Sequence, residues 1–111
     1  MADLVDPALR IVISTFPTAD KAAEIARVLV DEQLAACVNV VPQIRSIYRW
    51  QGAVQDDVEA LALIKTTDAS VAALTQRLLE LHPYDVPEVI ALPISAATPA
   101  YGAWLRDSVK T

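Results

Sequence analysis

The sequence is poor in the residue types from which most catalytic and metal centres are built. Its 111 residues include one cysteine, one histidine and two glycines. The single Cys37 excludes an internal disulfide, and Gly52 and Gly102 are too few for a glycine-rich phosphate loop. Apolar neighbours of Cys37 disfavour a reactive thiolate, so a nucleophilic pair with His82 is the weaker alternative. We therefore predict a protein that is not an enzyme and that needs no organic cofactor.

Long apolar runs and an excess of positive charge are also missing. Apolar stretches such as residues 34–38 are far too short to span a bilayer. The first seven residues lack a basic region followed by an apolar block, so no secretory signal is predicted. The net charge of -5 argues against binding driven by nucleic-acid phosphates or anionic lipids. We expect no nucleic-acid or membrane partner and a cytoplasmic location.

The spacing of apolar residues predicts a βαββαβ order followed by a further helix. Period-two and continuous apolar segments predict strands at residues 8–16, 34–50, 53–66 and 89–94. Helical spacing predicts helices that begin at Thr18, Asp68 and Thr98, each a good N-cap. Right-handed crossovers then give an α+β, ferredoxin-like antiparallel sheet with two helices on one face. We expect residues 1–111 to form one domain.

The second and third strands predict an unusually long β-hairpin. Either arm exceeds roughly 40 Å if unbroken, about twice the length of the other strands. Two helices cannot cover its distal half, which carries aromatic and β-branched residues. The apolar fraction of 54% is also high for a small domain. We expect other copies of the chain to cover this surface, although a hairpin broken at Pro42 is an alternative.

Five segments in this order resemble motifs of the CutA divalent-cation-tolerance family: EQLAACVNV (32–40), SIYRWQG (46–52), LIKT (63–66), HPYDVPEV (82–89) and YGAWL (101–105). The resemblance implies a ferredoxin-like fold, a homotrimer, a bacterial cytosolic setting and a role in tolerance of divalent metals, copper above all. It also implies architectural kinship with the trimeric PII signalling proteins. Some bacterial members carry cysteines at the ends of the first strand and second helix. Neither is present here, which argues against a metal site of several cysteines.

The candidate metal ligands for copper or another divalent cation are His82, Cys37, Asp85 and Glu88. His82 follows a helix C-terminus, whose partial negative charge favours a cation. Pro83 holds His82 extended, and the two carboxylates follow closely. One chain cannot complete a four-ligand site from Cys and His alone, but a threefold axis gathers ligands from three chains. Core packing of Cys37 and hydrogen bonding of His82 to the last helical carbonyls are the structural alternatives.

A second set of residues is expected at clefts between subunits. Aromatic walls with a few polar groups are typical of ligand pockets, and equally of subunit interfaces. The set consists of Tyr48, Trp50, Glu59, Lys65, Tyr84 and Trp104. The leading hypothesis is a homotrimer that binds a divalent cation. A PII-like signalling trimer with a small ligand or partner protein in its clefts is the main alternative, and a scaffold that anchors other proteins is the third.

Overall fold

The computed structural model describes residues 8–110 and arranges them as a layer of helices against a β-sheet. The elements of the described range are β1 (Leu9–Phe16), α1 (Ala19–Asp31), β2 (Cys37–Trp50), β3 (Ala53–Thr67), α2 (Val71–Leu81), β4 (Ile90–Pro93) and α3 (Pro99–Ser108). The sheet order is β2-β3-β1-β4, and every pairing is antiparallel. The predicted α+β, ferredoxin-like topology with an extra helix is confirmed. The prediction of no secretory signal concerns residues outside the described range.

The local signals at the helix ends account for where α1 and α3 begin. The Thr18 hydroxyl accepts a hydrogen bond from the Lys21 amide at 3.0 Å, as expected of an N-cap. Thr98 occupies the N-cap position of α3 and Pro99 follows in its first turn. Both predicted helix starts are confirmed, because capping depends on residues that are adjacent in sequence.

Two predicted boundaries are wrong. β2 begins at Cys37 rather than at residue 34, because the amides of Leu34 and Ala35 both bond the Leu29 carbonyl at the end of α1. Asp68 does not cap a long helix: residues Asp68–Ser70 form a 3-10 turn and α2 starts at Val71. The Asp68 carboxylate pairs instead with Arg10 at 3.2 Å.

The hairpin of β2 and β3 is long, as predicted, although β2 starts three residues later, and it is not broken at Pro42. Its arms have 14 and 15 residues, and the described chain is 47 Å along its longest axis. The register shifts between Val41 and Ile44, so Pro42 sits in a bulge of an edge strand, where its missing amide is tolerated. Gln51 and Gly52 close the hairpin with φ values of 50° and 81°.

The sheet buries one face against α1 and α2 and leaves much of the other face open. The buried face holds the main core, formed by Val12, Phe16, Ala60, Ala62 and Ile64 with Ala22, Ile25, Leu29, Leu74 and Leu78. On the other face, α3 covers only the Leu9 end, where Leu105 and Val109 pack. We call the remaining part the open sheet face. Its apolar members are Ile11, Ile13, Leu61, Leu63, Ile90 and Leu92, all half-buried or exposed.

Candidate functional site

A large cleft opens where the hairpin extends past the end of β1. Phe16, the last residue of β1, pairs with Ala60, so the ribbon beyond that row has no β1 neighbour. The connector from α2 to β4 passes this end of the sheet, and its residues 83–86 and 88 form the opposite wall. The cleft has a volume of about 930 Å³. Its lining includes Tyr48, Trp50, Asp57, Glu59, Tyr84, Asp85 and Glu88.

Side chains alternate between the two faces of a β-strand, and the polar and aromatic cleft residues of the hairpin share one face. Ser46 pairs with Asp57, and Ile44 pairs with Glu59, so Tyr48 and Trp50 share a ribbon face with both carboxylates. Because β3 runs without a bulge, this face is continuous with the open sheet face. Sequence reasoning missed Asp57, although period-two spacing from Glu59 was enough to find it.

Two tyrosines donate hydrogen bonds to carboxylates in the cleft. The Tyr84 hydroxyl donates to Glu59 at 2.7 Å, and the Tyr48 hydroxyl donates to Asp57 at 2.5 Å. Burial, and then the bond to Glu59, raises the pKa of Tyr84 far above its ordinary value. The bond to Asp57, followed by burial, raises the pKa of Tyr48. Both phenols therefore stay protonated and neutral at physiological pH.

His82 lies behind the cleft with both ring nitrogens engaged. Its side chain is buried, with the residue 9% exposed, and it stacks on Phe16 with ring centroids 4.6 Å apart. Nε2 lies 2.8 Å from the Thr15 carbonyl oxygen, which can only accept, so Nε2 carries the proton. Nδ1 accepts from the Tyr84 amide at 3.1 Å. Burial lowers the pKa of His82, although the Thr15 carbonyl and the Glu59 charge act the other way. The ring is held neutral.

The four predicted metal ligands do not converge within one chain. Asp85 and Glu88 line the cleft, while the nitrogens of His82 are occupied by Thr15 and Tyr84. Cys37 is half-buried and lies level with Ile11 across the sheet. Ile11 is four residues, or roughly 13 Å, along β1 from Thr15, the residue that His82 contacts. In the described range no three His, Cys, Asp or Glu side chains are grouped to hold a metal ion.

The six residues predicted for clefts fall into two groups. Tyr48, Trp50, Glu59 and Tyr84 line the cleft. Lys65 lies six residues along β3 from Glu59, about 20 Å away, where its Nζ donates to the Tyr101 hydroxyl at 3.2 Å. Trp104 stacks at a tilt against Tyr101 with centroids 5.4 Å apart, so it belongs with Lys65. Both groups border the open sheet face.

Residues 10–108 match the family model of the CutA1 divalent ion tolerance protein. The chain belongs to the CutA1 family. The Thermus thermophilus divalent-cation tolerance protein CutA is 50% identical over 98 residues, covering 88% of this chain and 95% of that protein. A solved CutA1 structure from Thermus thermophilus superposes with a TM-score of 0.89 at 48% identity, covering 92% and 99% of the two chains. The Oryza sativa CutA1 crystal structure gives 0.90 at 42% identity, covering 97% of each chain.

Eukaryotic CutA1-family relatives are longer than this chain. Human CutA is 49% identical over 84% of this chain, but the match spans only 52% of the human protein. Arabidopsis thaliana CutA, named as chloroplastic, is 45% identical, with 90% of this chain and 55% of that protein matched. Membership of the CutA1 family identifies the chain as a divalent-cation tolerance protein at the level of the family. Among residues 8–110, no helix has the length and apolarity needed to cross a membrane.

Proposed function

We propose that the chain acts in the cytoplasm as a homotrimer that binds a divalent cation, copper above all, and so contributes to cation tolerance. The main observation in favour of an oligomer is the open sheet face. It exposes a contiguous apolar surface that includes Ile90 (48% exposed) and Leu92 (45%). Such patches on a small protein mark interaction surfaces. Family membership supports the cation role.

The sheet also has two free edges that suit assembly of identical copies. Within the described chain, β2 and β4 are the edge strands, and β2 carries exposed Ile47 in its distal half. Unpaired edges with apolar side chains favour pairing with another chain. The two edges differ, so contact between them is head-to-tail, and such contacts form a ring when the rotation between successive copies closes. A three-membered ring covers both the hairpin and the open sheet face.

Light scattering after size-exclusion chromatography tests the oligomer. We expect a single species of about three times the chain mass of 12.0 kDa. Leu92→Glu places a charge on the open sheet face and should shift this species towards the monomer. Leu79→Glu, at an exposed position on α2, is the matched control and should leave the mass unchanged. A well-folded wild-type monomer at micromolar concentration contradicts the proposal.

The proposed cation ligands are His82, Asp85 and Glu88, with Cys37 contributed through the assembly. Binding at Nδ1 of His82 requires displacement of the Tyr84 amide, since that nitrogen has one lone pair and already accepts its hydrogen bond. The site is therefore not preformed in one chain. Copper heads the affinity series of divalent ions for nitrogen and sulfur ligands, which makes Cu²⁺ the appropriate probe.

Calorimetric titration with Cu²⁺ tests these ligands. We expect weaker binding in His82→Ala, Cys37→Ala and the double variant Asp85→Asn/Glu88→Gln than in the wild type. A control that removes two exposed carboxylates elsewhere, Glu24→Gln with Asp107→Asn, should bind as the wild type does. Equal affinity in all of these proteins removes the four residues from the site.

A PII-like trimer that binds a small ligand in its clefts is the second candidate function. Two observations favour it: the engagement of both His82 nitrogens within the chain, and the aromatic lining of the cleft. Aromatic walls with a few placed polar groups are typical of ligand sites. Native mass spectrometry of the freshly purified protein tests it. A retained metabolite supports a ligand function, and a spectrum that shows only protein and metal ions opposes it.

A further inference from the structure

Tyr84 is fixed by two hydrogen bonds that start from opposite ends of the residue. Its backbone amide donates to Nδ1 of His82 at 3.1 Å, and its hydroxyl donates to the Glu59 carboxylate at 2.7 Å. Its ring also lies against the His82 ring, with centroids 4.9 Å apart. Tyr84 therefore links the imidazole of His82 to strand β3, which carries Glu59.

These contacts are all made within one chain and are at least partly shielded from water. His82 is buried, whereas Tyr84 and Glu59 are half-buried. Both hydrogen bonds of Tyr84 lie in partly buried surroundings. The arrangement therefore does not require the cleft to be open to solvent, and it is compatible with sister chains that cover the hairpin.

The connector that carries Tyr84 has little regular structure of its own. Residues 83–89 lie between α2 and β4 and, in the described chain, belong to no helix or strand. Pro83 and Pro87 have no backbone amide to donate. At the far end of the connector, Val89 packs against the main core. The two hydrogen bonds of Tyr84 therefore help to hold the first half of this connector against the sheet.

The Tyr84 amide occupies the one nitrogen of His82 that has a lone pair. Nε2 carries the proton that is donated to the Thr15 carbonyl, which leaves the lone pair on Nδ1. Nδ1 becomes available to another partner only when the Tyr84 amide moves away. Because the amide and the hydroxyl belong to the same residue, the bond to Glu59 opposes this movement. The apparent affinity of a ligand for Nδ1 is reduced in proportion to the fraction of open molecules.

We propose that Glu59 and Tyr84 are positioning residues that control access to His82, and we call this pair the Tyr84 latch. The Glu59 carboxylate holds the phenol, and the amide of the same tyrosine holds Nδ1 closed. The proposal rests on the cation function proposed for His82 and adds what regulates that site. It makes an unusual prediction: removal of the Tyr84 hydroxyl strengthens cation binding, whereas loss of a ligand or damage to the fold weakens it.

Amide hydrogen exchange of the full, metal-free chain measures opening of the latch directly. Tyr84→Phe keeps the ring and the backbone amide but removes the hydroxyl. Because a hydrogen bond to a charged group contributes more than a neutral one, its loss should make exchange at residue 84 about tenfold faster. Glu59→Gln keeps an acceptor without the charge and should give a smaller increase in the same direction.

Calorimetric titration of the same proteins with Cu²⁺ tests the link between the latch and His82. Since the apparent affinity follows the fraction of open molecules, Tyr84→Phe should bind Cu²⁺ about tenfold more tightly than the wild type. The gain in affinity should equal the gain in exchange rate at residue 84. The oligomer mass and the thermal midpoint are measured in parallel.

Tyr48→Phe is the matched control, because it removes a phenol that donates to Asp57 at 2.5 Å within the hairpin. It should leave the exchange rate at residue 84 and the Cu²⁺ affinity nearly unchanged. Equal increases in Tyr48→Phe and Tyr84→Phe show a general loosening and overturn the proposal.

Two other results also contradict the latch. One is unchanged exchange at residue 84 in Tyr84→Phe. The other is faster exchange without tighter binding, when the wild type binds Cu²⁺. If neither the wild type nor Tyr84→Phe binds Cu²⁺, the proposed cation function fails, and the exchange rates by themselves decide whether Glu59 and Tyr84 hold His82 closed.

Discussion

Replacing His82 tests whether the fold depends on a neutral, doubly hydrogen-bonded histidine. In His82→Phe the stack on Phe16 is kept, but the Thr15 carbonyl and the Tyr84 amide lose their partner. An unsatisfied buried carbonyl costs about 1–3 kcal/mol. The bond from the Tyr84 amide is partly buried, so its loss adds to this cost. We expect His82→Phe to lower the free energy of unfolding by about 2 kcal/mol at pH 7.5.

The pH dependence separates the charge state of His82 from its packing. Its folded pKa lies below the ordinary value of 6.5, so below that pH the unfolded chain binds more protons than the folded chain. The stabilising contribution is complete above about pH 6.5 and is lost as the pH falls through the folded pKa. One proton corresponds to at most about 1.4 kcal/mol per pH unit. His82 is the one histidine of the sequence, whereas the carboxylates with a lowered pKa, Glu32 and Asp56, lose their contribution at lower pH.

Urea unfolding between pH 7.5 and 5.5, at equal protein concentrations, provides the measurement. The wild type should lose stability over this range, whereas His82→Phe and His82→Gln should lose less. Glutamine supplies a donor for the Thr15 carbonyl and does not titrate, so His82→Gln should also recover part of the stability at pH 7.5. If the wild type and both variants show the same slope, the histidine is not held neutral and the reasoning is refuted.

Three further predictions concern stability alone. Gly52→Ala should lower the free energy of unfolding by about 1 kcal/mol, measured by urea titration, because Gly52 has a φ of 81° that an L-residue adopts at a cost. Arg77 binds Glu32 through Nε and Nη2, at 3.0 and 2.9 Å, and a double-mutant cycle should give a small favourable coupling that weakens in high salt. Leu78→Ala should cost about 2–5 kcal/mol by the same assay, because its fully buried side chain leaves a cavity between helix and sheet.

The elements of the fold were predictable because their signals are local. Thr18 and Pro99 mark helix starts through contacts within a few residues. Pro42 lies in a bulge of an edge strand, a position that tolerates proline because it has no amide to donate to a neighbouring strand. Asp68 misled because an N-cap signal does not distinguish a 3-10 turn from the start of an α-helix.

The sequence could not predict which of the candidate residues lie together. Four of the six predicted cleft residues line one cleft, whereas Lys65 and Trp104 lie at the other end of the open sheet face. The four predicted metal ligands remain a proposal. Cys37 and His82 looked like a pair in composition because no other cysteine or histidine is present. Composition does not show how far apart two residues lie. In the structure, the strand register places Cys37 level with Ile11, whereas His82 contacts Thr15, four residues further along β1.

The sequence by itself determined the order of the elements, the starts of α1 and α3, the presence of a long hairpin and the membership of the CutA1 family. Each of these depends on periodicity or on residues close along the chain. Only the tertiary structure decided that β1 ends opposite Ala60, which leaves Glu59 free to accept a hydrogen bond from Tyr84. It also decided that the His82 ring hydrogen-bonds to the carbonyl of Thr15, 67 residues earlier in the chain. Strand register and the path of the connector set these contacts, and both result from packing of the whole chain rather than from any local pattern.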